Sequence, residues 1–359
     1  MLFGRKQLKS PPALSLADWE RRTDSALSWL RRSIEATGGH GSSHSWSPIF
    51  GWAKAYPETT GYLIETLLDY AELKQDNSLR DLAHQCANWL VSIQLASGAF
   101  PSLLAGSQTP SVFNTGMILF GLARAGSNEP ALRRAIHWLH SVLEPDSSWR
   151  KYAYVPDFTP SYYTRAVWGV LMANQHLQDA EVEHAMRKAL HFYAQRFSPN
   201  GAVRDWGFWP GKPAFTHTIA YTLEGFWECA LLLGEKEILE RTASSAERLL
   251  SVRQAAGMST AGRYDEQWQG DYSFVCVTGH CQLSVLYRKI WDFTGDERFR
   301  QAAHDLLFEI LDSQCFQKNQ NRFGAIPGSA PFWGPYLRLR YPNWGAKFFL
   351  DAMRRAREG

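Results

Sequence analysis

The chain has 359 residues, 45% hydrophobic and 20% charged, a globular balance that excludes a disordered chain. Thirty-eight basic against 35 acidic residues leave a net charge of +3 with no dense basic stripe, so nucleic acid is not an expected partner. No apolar run reaches the ~18 residues that cross a bilayer, and polar and proline residues interrupt MLFGRKQLKSPPALSLADWE, so neither membrane insertion nor a secretory signal is expected.

After an N-terminal extension (residues 1–16), the sequence predicts twelve helices of alternating character. Segment 17–37 is amphipathic, whereas 58–73 is apolar around most of its circumference. The alternation returns as 77–95 and 111–125, 130–143 and 160–177, 181–197 and 214–233, 235–253 and 274–294, and 297–314 and 342–357. A helix apolar on most sides is buried on most sides, so the first of each pair lies outside and the second inside. Several outer segments share a signature: ALSWLRRS at Trp29, CANWLVSI at Trp89, AIHWLHSV at Trp138 and ALHFYAQR at Phe192. Matching positions at the inner-helix starts are Thr60, Asn114, Tyr163, His217, Thr278 and Asn343. Helix pairs of this size cannot each bury their own apolar face and must pack on one another. The expected architecture is all-α: a closed (α/α)6 toroid formed by one barrel domain over residues 17–359, in preference to an open solenoid.

The connections are lopsided. Those from inner to outer helix are short, as in KQD and GSNE, whereas those from outer to inner helix run through 39–57, 96–110, 144–159, 198–213, 254–273 and 315–341. Loops longer than ~12–15 residues are usually functional or disordered. These hold seven of the fifteen tryptophans in under a third of the chain. All six should emerge at one pole as an aromatic-walled bowl. Flat rings beside polar groups suit a sugar, which has apolar C–H faces and a hydroxyl rim. On this reading Trp46, Trp52, Trp206, Trp209, Trp268 and Trp333 are sugar platforms.

The hairpins FTHTIAYTLEGFWECALLLGE and CVTGHCQLSVLYRKIWDFTGDERFRQAA resemble those of carbohydrate-active α/α-toroid enzymes. The inner helices YPETTGYLIETLLDYAEL and YPNWGAKFFLDA, each entered through a Tyr-Pro turn, read similarly. This group comprises six-hairpin glycosidases, polysaccharide lyases, sugar epimerases and terpenoid cyclases. The resemblance implies an enzyme acting on a poly- or oligosaccharide. SIQLASGAF, with Gln94, Gly98 and Phe100, is similar to the repeat of squalene-type cyclases, but their D-x-D-D motif is absent and no catalytic residue is carried over.

Glycoside hydrolysis ordinarily needs two carboxyl groups, one to protonate the leaving oxygen and one to activate water or attack. The candidate acids at the long-loop pole are Glu58, Asp157, Asp205, Asp265, Glu266 and Asp271. Glu58, just after Pro57, and Asp271, in QGDYSF, are the expected pair, although a helix start also favours an acid for its dipole alone. Elimination or epimerisation at a uronate would instead use a Tyr or His base beside an Arg or Asn. His217 and Tyr163 are the catalytic candidates there, and Asn114, Tyr162, Arg204, Arg263, Arg338 and Asn343 the polar binding partners. His280 reads as a core residue. Cys276, His280 and Cys281 lack the further ligands of a zinc site, so no metal is expected; without a phosphate-cradling glycine loop, no cofactor is expected either. Ten basic against eight acidic residues at the loop pole lean towards an anionic glycan. Five cysteines, an odd number, fit reduced thiols in the cytoplasm. Glycoside hydrolysis is the leading reading. The alternatives are a uronate lyase or epimerase, a non-catalytic glycan-binding protein of polysaccharide biosynthesis, and a terpenoid-cyclase-like enzyme.

Overall fold

The computed structural model describes residues 14–126 and 128–357, so the expected N-terminal extension lies outside the described residues up to position 13. Twelve α-helices follow in order: α1 (Leu16–Glu35), α2 (Pro57–Lys74), α3 (Asn77–Ser92), α4 (Val112–Ala125), α5 (Glu129–Ser141), α6 (Thr164–Leu177), α7 (Ala180–Ala194), α8 (Thr216–Leu233), α9 (Lys236–Ala255), α10 (Val277–Thr294), α11 (Glu297–Ile310) and α12 (Asn343–Arg357). The expected segment 160–177 is divided, with a 3₁₀ turn at Ser161–Tyr163 preceding α6. None of the described helices is long and apolar enough to cross a membrane.

A repeated local device makes the short turns. Helix α2 ends on Gln75 in the left-handed region (φ 55°), and the next residue, Asp76, accepts a hydrogen bond from the Ser78 amide at 2.8 Å. Gln178 (φ 53°) and Asp179 do the same between α6 and α7, as do Gly295 (φ 71°) and Asp296 between α10 and α11. One left-handed residue satisfies the last carbonyls of one helix, and the acid behind it caps the first amides of the next. The chain therefore reverses within two or three residues, and all long connections fall at the other pole.

The even-numbered helices form the inner ring: α2 packs on α4, α4 on α6, α6 on α8, α8 on α10, α10 on α12, and α12 back on α2. That last contact closes the barrel and rules out the open solenoid. Each of α3, α5, α7, α9 and α11 covers the inner helix that precedes it. The sixth pair is assembled from the two ends of the chain, with α1 covering α12. There Trp19 donates its indole N–H to the Met353 carbonyl at 2.8 Å and stacks on Tyr70 of α2.

Adjacent inner helices approach closely because glycines face one another. A Cβ on Gly169 of α6 would fall 2.1 Å from the Gly116 carbonyl oxygen of α4, and one on Gly121 would fall 2.0 Å from that of Gly61 in α2. The space along the axis holds charged as well as apolar side chains, which amends the expectation of an apolar interior. Arg165 of α6 pairs with Glu224 of α8, whose other oxygen takes Lys289 of α10 at 2.7 Å. Lys347 pairs with Asp351 at 2.5 Å, and Arg354 reaches Asp69 at 3.2 Å. Long charged side chains find partners on neighbouring helices or, for Lys347, one turn along the same helix, and pairing is the condition under which buried charge is tolerated.

Short antiparallel strands fasten the long loops together. Ser45–Ser47 pairs with Gly51–Trp52 and with Tyr341–Pro342, joining the first loop to the last. Val275–Cys276 pairs with Ser329–Ala330.

Gly169→Ala gains up to ~1 kcal/mol in helix propensity, but its Cβ meets backbone that can move only if two helices part. A net loss of about 1–3 kcal/mol is expected, read as a lower midpoint in thermal or urea unfolding. An unchanged midpoint would show that the ring is not held at that distance.

Candidate active site

At the long-loop pole the inner-helix N-termini surround a cavity of about 330 Å³. Tyr56, Glu58 and Tyr62 line it from the start of α2, Phe113 from α4, and His217 and Tyr221 from α8. The long loops add His44, Tyr154, Phe208 and Tyr336, and Trp344 of α12 completes the wall. Since α2 and α8 lie opposite in the six-membered ring, Glu58 and His217 face each other across the cavity. Tyr62 and Tyr221 sit one turn deeper on the same two helices. Their hydroxyls meet at 3.2 Å as a floor, with the Arg165 guanidinium 4.4 Å from the Tyr221 ring.

Pro57 presets the first turn of α2 and leaves Tyr56 extended, which brings the Tyr56 ring back over Glu58. The Tyr56 hydroxyl donates to Glu58 Oε2 at 2.5 Å, and the Tyr154 hydroxyl lies 3.0 Å from the same oxygen. Burial raises the Glu58 carboxyl to about 7, while the two tyrosine donors, and then Arg165, pull the other way. Desolvation wins, so the group exchanges its proton near neutrality, as a general acid or base should.

Asn114 acts behind Tyr154. Its Nδ2 donates to the Pro101 carbonyl at 2.7 Å, which turns Oδ1 towards the Tyr154 hydroxyl as an acceptor. Tyr154 has one proton and two acceptors. With Glu58 ionised, the hydroxyl serves the carboxylate; with Glu58 protonated, it serves Asn114 and can accept from the acid. Either state of Glu58 is satisfied by rotating one O–H bond.

His217 Nδ1 lies 2.8 Å from Gln282 Oε1, so the ring carries its proton on Nδ1 and leaves Nε2 as an acceptor. Burial drives its pKa down to about 3. His44 stands between the Tyr56 and Trp344 rings, with burial first and Arg340 second holding it down to about 4. Both imidazoles are neutral where Glu58 titrates.

The structure separates the other expected residues. Glu58, His217 and Tyr162 line the cavity, and among the described residues Glu58 is the one carboxyl that does. Asp271 stands outside it, 2.9 Å from Arg263, and accepts from the Ser273 hydroxyl and amide, which hold its carboxyl low. The expected acid pair is not brought together, because Asp271 closes its own turn. Tyr163 is fully buried, stacked on Phe113 at 5.4 Å behind Tyr162.

The expected platforms are mostly loop core. Trp46 packs on Tyr341, Trp52 on Trp29, and Trp206 edge-to-face on Trp268 at 5.3 Å. Loops this long need an apolar core of their own, and indoles supply it. Trp209 and Trp333 are 60% and 66% exposed and stand outside the cavity lining. Arg204 and Arg338 are exposed outside it too, and Arg263 is held by Asp271. Asn343 donates to Ser42 Oγ at 3.0 Å, fixing the first loop to α12. His280 is buried against Glu309, consistent with a core role. The walls missed in the sequence are tyrosines. Tyr62 and Tyr221 stand four residues beyond Glu58 and His217, a spacing that places them on the same helix faces and could have found them.

The architecture is similar to that of several solved structures. A crystal structure of an unsaturated glucuronyl hydrolase specific for heparin has a TM-score of 0.74 at 15% identity, covering 95% of this chain and 97% of that one. The unsaturated glucuronyl hydrolase of Bacillus sp. GL1, described as responsible for the degradation of glycosaminoglycan, gives 0.73 at 15% identity over 94% and 96%. Cellobiose 2-epimerase from Bacillus thermoamylovorans B4167 gives 0.73 at 11% identity over 94% and 97%. The fold is the (α/α)6 toroid. No protein-family model matches the sequence, nor does any curated protein. The sequence resemblance to toroid enzymes is thus borne out in the fold.

Two predictions concern Glu58. Its folded pKa of about 7 exceeds its ordinary 4.5, so the stability from holding this proton is present below pH 4.5 and is lost as pH rises through 7. Glu58→Gln, which cannot ionise, should therefore gain on wild type by up to about 3 kcal/mol between pH 4 and 8 in denaturant titrations. A difference independent of pH would contradict the raised pKa. Second, Tyr154→Phe removes a donor from the carboxylate and should raise the Glu58 titration midpoint by about one pH unit, followed by its infrared carboxyl stretch. A fall would reverse the role assigned to Tyr154.

Proposed function

We propose that the protein is a carbohydrate-active enzyme that holds one terminal unit of a poly- or oligosaccharide in the cavity and breaks its glycosidic bond, with Glu58 as proton donor. The observation that carries this reading is a buried carboxyl titrating near 7, set among tyrosine hydroxyls at the closed end of a cavity. A sugar ring there would meet aromatic faces above and below and hydroxyl partners around its edge. Protonated Glu58 donates to the leaving oxygen as the glycosidic bond breaks, and a water donating to His217 Nε2 attacks the anomeric carbon from the opposite wall, losing its proton through that nitrogen to solvent. Glu58 is left ionised, with Tyr56 and Tyr154 both donating to it, and recovers a proton from solvent. The like-folded glucuronyl hydrolases and cellobiose 2-epimerase, with an α-amylase from Clostridium perfringens at TM-score 0.66 and 13% identity, support the substrate class. Six tyrosine hydroxyls in the lining favour a polar substrate over an isoprenoid. All five cysteines are free and buried, which supports a reducing, cytoplasmic setting.

Epimerisation is the second reading, favoured by the single cavity carboxyl opposite a neutral histidine. One group would take a proton from carbon and the other return it on the opposite face.

Product analysis on a panel of oligosaccharides tests both. Cleavage should release a monosaccharide, with kcat falling about 10²–10⁴-fold in Glu58→Gln while sugar binding persists. Wild-type turnover in Glu58→Gln would remove the assignment. An isomerised sugar without cleavage would select the second reading.

A further inference from the structure

The chemistry of the cavity wall narrows the substrate further, on the premise that the cavity is a sugar site. We infer that it accepts an uncharged sugar unit and rejects uronic acids. Among the described residues lining it there is no lysine or arginine. The polar side chains it offers are tyrosine and threonine hydroxyls, neutral imidazoles and the Glu58 carboxyl, a set that matches the hydroxyls and hydroxymethyl group of a neutral hexose.

The cations around the cavity stand behind or beside its lining, not in it. Arg165 lies beneath the Tyr221 ring and pairs with Glu224, which also holds Lys289. Arg340 donates to Ser45 Oγ at 3.2 Å and lies over the Phe50 ring, and Arg263 is held by Asp271. The starts of α2, α8 and α12 offer an anion no free first amide either. Helix α2 begins at Pro57, which has no N–H, and carries Glu58 there. The first amides of α8 and α12 are taken, Thr216 N by the Gly262 carbonyl at 3.1 Å and Asn343 N by the His44 carbonyl at 3.1 Å.

A sugar carboxylate would thus be buried with no cation in the lining to pair with it, and beside a carboxyl that ionises near neutrality, a poorly compensated desolvation. At about 330 Å³ the cavity sits at the small end of ligand sites, room for one sugar unit and little more. The rim arginines, including Arg338, remain available to the rest of a chain.

The test is binding to the full-length Glu58→Gln protein, which needs no turnover. Titration calorimetry and ligand-observed NMR at pH 6 would compare methyl glucoside, galactoside and mannoside, both anomers, with the corresponding methyl uronides and an unsaturated heparin disaccharide. At least one neutral glycoside is expected to bind tenfold or more tightly than its uronide. Equal or tighter binding of any of the acidic sugars overturns the inference, as does binding of no neutral glycoside. Adding Leu337→Arg places a guanidinium on the wall and should shrink the gap at least tenfold; an unchanged gap removes the electrostatic argument. Turnover by wild type is read separately, so absence of catalysis with selective binding intact would reject the enzymatic reading and leave this one standing.

Discussion

The approach of the inner helices at their glycines sets everything else. Gly61 with Gly121, and Gly116 with Gly169, let neighbouring backbones come together where any side chain would hold them apart. Gly225 against Thr164 and Gly279 against Thr216 extend the same arrangement through α8 and α10. A ring drawn in at these points delivers the helix starts to one small volume. Residues separated by more than a hundred positions, such as Glu58 and His217, become opposite walls of a single chamber.

Enclosure then fixes the chemistry. The same desolvation that lifts the Glu58 carboxyl pushes both imidazoles down, so acid and base functions separate without any strong ion pair in the chamber. Charge is concentrated deeper along the axis, where Arg165 and Lys289 are matched by Glu224 and Glu228. The tyrosines between these layers belong to both: Tyr221 lines the cavity and has Arg165 against its ring face.

The helices and their order were legible because burial on many sides leaves a long apolar signature, and the short turns because a left-handed residue followed by an acid is a local signal. Glu58 and His217 were legible as polar residues at inner-helix starts. The aromatic loops were read correctly as dense and as walls, but the rings that line the cavity are Tyr154, Phe208 and Tyr336 and not the tryptophans. Tryptophan content cannot tell a ring that packs from one that waits for a ligand, and Trp206 on Trp268 packs. Asp271 and Asn114 were obscure for a related reason. A carboxylate that closes its own turn and an amide that serves a tyrosine forty residues away look alike in sequence, and their partners become visible only when the loops are placed.

The first loop and the last helix share one wall. His44 lies 4.8 Å from Trp344, Ser42 accepts from Asn343, and Trp19 reaches Met353 across 334 positions of sequence. During synthesis, a nascent chain that has not yet released its final helix has no such wall and no desolvated chamber in which Glu58 could hold its proton. That side of the cavity therefore exists only once the first loop and α12 have met, so the chamber is the last part of the ring to be completed.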